Sequence, residues 1–97
     1  MWATSYIEKL VAGEMVTFNP KGNSMVPIIK SGQEVVCRPY VKETDILKKG
    51  MVVLCAVGRS QYLHLVKAVQ EDQVLIGNNR GKINGWTPKS KVYGIKI

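Results

Sequence analysis

Apolar positions follow a helical period once, near the start of the chain, and a strand period thereafter. Between Thr4 and Gly13, the residues Tyr6, Ile7, Leu10 and Val11 fall on one stripe, the spacing of an amphipathic helix. Ser5 and Glu8 fit a Ser-x-x-Glu capping box, and Gly13 is a natural stop. Beyond Gly13 the apolar residues come in short, β-branched runs: Met15 to Phe18, Glu34 to Arg38, Met51 to Val57, Tyr62 to Val69, Val74 to Gly77 and Val92 to Ile97. Gly, Pro, Asn and Asp separate them. The pattern predicts a mostly β fold, a small antiparallel domain over residues 15–97 preceded by one short helix within residues 1–14. Asn78 to Lys91 has little strand character and reads as a long loop. No internal repeat and no low-complexity stretch is present.

Composition narrows the class. With 97 residues, 45% hydrophobic and 22% charged, the chain is an ordinary single globular domain, which excludes disordered, collagen-like and coiled-coil classes. The net charge of +7 permits nucleic acid, anionic lipid or an acidic protein as partner. No block of five like charges forms a basic tail. Cys37 and Cys55 each sit inside an apolar run. They read as small buried hydrophobes of a reducing compartment, with a structural disulfide left open. Two cysteines and one histidine fall short of a four-ligand metal site, and no cofactor is expected. Apolar runs such as Met51 to Val57 are far below the roughly 20 residues that span a bilayer. No secretory signal precedes the domain, so the expected setting is soluble and cytoplasmic. The helix can lie on the body of the domain, or touch a membrane surface through Trp2 and Tyr6.

Candidate chemistry gathers at Ser24. In Pro20-Lys21-Gly22-Asn23-Ser24-Met25-Val26-Pro27, Gly22 permits a sharp turn and Pro27 stiffens the backbone beyond it. A hydroxyl held in such a turn loses little entropy on reaction. Ser24 and Asn23 are equally good residues for starting the turn at Met25 to Lys30. A serine nucleophile needs a base. The only histidine, His64, lies in a strand where Tyr62, His64, Val66 and Ala68 share one face. It reads either as a packed core histidine or, with burial keeping it neutral, as a general base. Lys67 is the other candidate base and points to the opposite face of a regular strand.

These residues occur in a recognisable order: Gly22-Asn23-Ser24-Met25-Val26-Pro27, Ser31-Gly32-Gln33-Glu34-Val35-Val36, Lys49-Gly50-Met51-Val52-Val53, Tyr62-Leu63-His64-Leu65-Val66, Gly77-Asn78-Asn79-Arg80, Gly85-Trp86-Thr87-Pro88 and Val92-Tyr93-Gly94-Ile95. From about Phe18 to Ile97 the chain resembles the catalytic domain of signal peptidases and of the self-cleaving LexA-like repressors. The resemblance implies a coiled, mostly antiparallel β fold with Ser24 as nucleophile. The family's base is a lysine in bacterial signal peptidases and a histidine in the relatives of the endoplasmic reticulum and archaea. The matching position is His64, which implies a Ser24–His64 dyad. It further implies Arg80 as a brace of its loop. Asn78 can orient the base through a hydrogen bond, as Asn does in Cys-His-Asn enzymes, and the Ser24 amide with the Asn23 side chain can form the oxyanion site. The chain departs from the family at Asn78, where the usual segment reads Gly-Asp-Asn. It departs again at Gly22, where bacterial relatives often carry a hydroxyl residue.

Three functions are weighed. The first is a small serine endopeptidase, binding a protein or peptide substrate as an extended strand with small residues beside the scissile bond. The second is a catalytically inactive binding or assembly module on the same fold, taking a protein or peptide strand. The third is nucleic-acid binding through Arg80, Lys82, Lys89 and Lys91 around Trp86. No helix-turn-helix or zinc-finger signature supports the third, and nucleic acid is not the expected partner. The oligomeric state is left open.

Overall fold

The order of burial along the central strands explains the architecture. A computed structural model describes residues 1–97. It contains α1 (Thr4–Val11), β1 (Val16–Phe18), β2 (Val35–Pro39), β3 (Val52–Val57), β4 (Ser60–Val69), β5 (Gln73–Gly77), β6 (Ile83–Pro88), a 3-10 turn at Lys89–Lys91 and β7 (Val92–Lys96). All strand pairs are antiparallel, in one seven-stranded sheet ordered β1-β2-β7-β3-β4-β5-β6. The fold is thus mostly β with one short helix. β3 reads as an unbroken apolar run because both its faces are covered. Val52 and Leu54 belong to one apolar cluster, with Leu10, Phe18, Leu63 and Leu65. Val53 and Cys55 belong to the other, with Val66, Val74, Ile76 and Ile95. The sheet coils, so that Thr87 on β6 donates its hydroxyl to the Ala56 carbonyl of β3 at 2.6 Å.

Two sequence expectations need correction here. The segment read as a loop, Asn78 to Lys91, contains strand β6. The register between β5 and β6 shifts at Ile76/Gly77: Ile76 faces Gly85 while Gly77 faces Ile83. Asn84 is therefore the extra residue of a bulge, and this irregularity hides the strand from a period-2 reading. The second correction is at the helix start. Ala3, not Ser5, is the N-cap, with no side-chain cap. The Ala3 N–H donates instead to the Gln61 side chain of β4 at 2.9 Å. Leu10 is buried, and Tyr6 and Ile7 pack on the core, but Val11 points to solvent. The apolar stripe of α1 thus lies on the body of the domain.

Cys37 and Cys55 are both buried and free. Burial pushes the Cys37 thiol up to about 11, opposed by Lys96, and the Cys55 thiol up to about 12. No helix is long and apolar enough to cross a membrane.

Candidate active site

Three segments converge on the site: the loop after β1, the middle of β4 and the β5–β6 connection. Gly22 adopts φ +110°, a conformation that a side chain would strain, and its N–H donates to Ser31 Oγ at 3.0 Å. The loop then turns through Ser24, whose neighbour Met25 is buried in the core together with Ile29. The Ile29 N–H donates to the Met25 carbonyl at 2.9 Å. Ser24 is thereby held at the surface by an apolar anchor immediately behind it.

His64 is only 8% exposed and stacks on Tyr62, with ring centroids 4.9 Å apart. The structure brings Ser24 and His64 together: Ser24 Oγ lies 3.2 Å from His64 Nε2. On the far side of the ring, His64 Nδ1 is 2.7 Å from Asn84 Oδ1. An amide oxygen only accepts, so Nδ1 carries the proton and donates to Asn84. Nε2 is then an acceptor, and the Ser24 hydroxyl donates to it. Burial lowers the His64 pKa, a tendency opposed by the bond to Asn84 and assisted by the charge of Lys82. The ring is neutral at neutral pH and its free lone pair faces the hydroxyl. This arrangement can accept a proton from Ser24 as the oxygen attacks a carbonyl.

The remaining predicted residues are placed differently. Asn78 does not orient His64. Its Oδ1 accepts from the N–H groups of Arg80 and Lys82, at 2.8 and 2.9 Å, and so folds the β5–β6 turn. The orienting residue is Asn84, which the sequence reading did not single out. Only the bulge at Ile76/Gly77 aims it at the ring, and no residue spacing announces a bulge. Arg80 is exposed; it joins the turn through its backbone N–H, and its guanidinium braces nothing. Asn79 makes the link between segments: its N–H donates to the Ser24 carbonyl at 2.9 Å, and its side chain donates to the Val26 carbonyl at 3.0 Å. The Ser24 N–H makes no bond within the chain, which leaves it available to an oxyanion. Asn23 is exposed and uses its carbonyl to receive the Val26 N–H at 3.3 Å. Lys67 is the extra residue of the bulge between Val66 and Ala68, its side chain near Gly77.

Arg80 and Lys82 precede β6, which carries Trp86, and Lys89 and Lys91 follow it, so roughly 20 Å of strand separates the two basic pairs.

The flank of the site is an unfinished sheet edge. Val66 exchanges backbone bonds with Met51 and Gly50, so the even-numbered residues of β4 direct their backbone groups toward β3. Odd-numbered residues face away, and β5 pairs with them only from Leu65, opposite Gly77. The Gln61 carbonyl receives the Trp2 indole N–H at 3.0 Å. The N–H and C=O of Leu63, between these two points, have no strand opposite them. No family model matches the chain, and no curated protein matches it.

Proposed function

We propose that the protein is a serine endopeptidase acting through Ser24 and His64, as its resemblance to the signal peptidase and LexA-like superfamily implies. One observation carries the reading: a serine hydroxyl 3.2 Å from His64 Nε2, with the tautomer of the ring set by Asn84 behind it. A substrate peptide adds as an extended strand at the open edge of β4, using the backbone groups of Leu63. Ser24 Oγ attacks the scissile carbonyl carbon while its proton passes to Nε2. The Ser24 N–H holds the resulting oxyanion. On collapse the C–N bond breaks, and Nε2 returns the proton to the departing amine. Water then attacks the acyl ester, giving its proton to Nε2, and Ser24 is released with that proton.

A second reading, a strand-binding module without chemistry, draws on a different observation. Both polar residues nearest the role of triad acid, Asn78 and Asn84, are amides, and Lys82 adds positive charge near the ring. An imidazolium formed there lacks the carboxylate that stabilises it in Ser-His-Asp enzymes.

Reaction with an activity-directed fluorophosphonate, read by intact mass, separates the two. The expected result is one adduct on the wild type, absent from Ser24→Ala and His64→Ala. If all three folded proteins stay unlabelled from about pH 6 to about pH 9, the peptidase reading is lost and the binding module takes its place.

A further inference from the structure

The cleft beside Ser24 has a wall that the chemistry does not use. A cavity of about 430 Å³ is lined by Ser24 and His64 themselves, by Tyr62 stacked on His64, and by Trp2, Tyr6 and Phe18. The three residues Trp2, Tyr6 and Phe18 form one aromatic surface. Tyr6 stacks on Phe18 at 4.6 Å between centroids, and Trp2 tilts onto it at 5.8 Å. Phe18 is buried, whereas Trp2 remains 48% exposed, so the indole offers uncovered apolar area next to the cavity.

That wall is fixed in place by the N-terminal segment. Gln61 grips the segment with three bonds: its carbonyl receives the Trp2 indole N–H, its Oε1 receives the Ala3 N–H, and its Nε2 donates to Thr4 Oγ1. The first of these occupies the next outward-facing carbonyl of β4 beyond Leu63. A peptide strand can pair at Leu63 and is then stopped by the indole. Charge selects further: Lys21 is the one charged side chain lining the cavity, His64 being neutral, and no carboxylate lines it.

We infer that this cavity is a specificity subsite for a bulky apolar side chain, aromatic above all, on an extended peptide lacking a cation at that position. The inference rests on the peptidase reading for its placement beside a scissile bond, but the subsite itself requires only strand binding. An aromatic side chain gains most from such a surface through apolar burial and ring packing.

The test uses the folded Ser24→Ala chain, which holds peptide without cutting it. Capped hexapeptides identical except for one central Ala, Phe or Lys are titrated while the two tryptophan indole N–H resonances are followed. The Phe peptide is expected to bind at least about tenfold tighter than the Ala peptide, with the Lys peptide weakest. The Trp2 resonance should shift while that of Trp86, outside the cavity, stays still. Adding Trp2→Ala should shrink the Phe-to-Ala ratio to under about twofold. If that variant does not fold, the ranking and the Trp2 shift in the Ser24→Ala chain decide alone. Equal affinities for the Phe and Ala peptides, or a silent Trp2, overturn the subsite. Phe preference in a protein whose serine never labels supports the subsite and removes the peptidase. Labelling without Phe preference does the reverse.

Discussion

At the scale of single residues, the proposed chemistry turns on the two nitrogens of His64. Because burial lowers its pKa, the base form persists below the ordinary imidazole value of about 6.5. Serine labelling should therefore hold as pH falls to that value and decline only below it. Stability follows the same sign. The folded state binds fewer protons than the unfolded state between the two pKa values. The stabilisation is complete above about 6.5 and is lost as pH falls through the lower, folded value. Melting temperature against pH should show this loss in the wild type and lack it in His64→Gln. Asn84→Ala should leave the fold intact and slow labelling by about tenfold to a hundredfold, the worth of one to two hydrogen bonds near the reacting groups. Asn84→Asp should restore labelling and move its acid limb to higher pH, because a carboxylate beside the ring raises its pKa. Ser24 and His64 were legible in the sequence as residues. Asn84 was not, because what aims it is a bulge formed between two strands, and one strand's sequence does not contain that information.

At the scale of elements, the strands that the sequence announced are those whose apolar residues alternate or run unbroken, β3 and β4 above all. β6 stayed hidden because Gly85 and Pro88 interrupt it and Asn84 breaks its alternation. The helix was legible, but its start was not, since Gln61 from β4 supplies the partner that the capping box would have given. Two substitutions separate the roles of the β5–β6 unit. In Gly77→Ala the new Cβ would stand 2.7 Å from the Lys82 carbonyl oxygen, so the turn folded by Asn78 must shift. Because Asn79 in that turn holds the Ser24 carbonyl, loss of about 1–3 kcal/mol in urea unfolding should come with a drop in labelling of the folded protein. Thr87→Val removes the donor that satisfies the Ala56 carbonyl. It should cost about 1 kcal/mol, roughly the worth of one part-buried hydrogen bond, while the labelling rate of the folded fraction stays near wild type.

At the scale of the whole molecule, β7 holds the sheet together. β1 and β2 form one side, β3 to β6 the other, and β7 is the strand that pairs with both. Ser24 follows β1 and His64 lies in β4, so the candidate dyad straddles that division. The sequence could mark both residues, but their meeting depends on a pairing order that composition and periodicity do not encode. Gly94 in β7 also receives α1 closely: a Cβ there would stand 2.8 Å from Leu10 Cδ1. Ending the chain after Lys91 should abolish the cooperative melt rather than lower its midpoint, and leave the serine unlabelled. A truncated chain that still melts cooperatively would show that the two sides assemble without the last strand.

The position of β7 also has a mechanical consequence. A pull that peels β7 away from β2 and β3 breaks the one pairing that joins the two sides. It leaves the β1–β2 and β3–β6 ladders paired, so the contact between Ser24 and His64 would loosen before either side unravels.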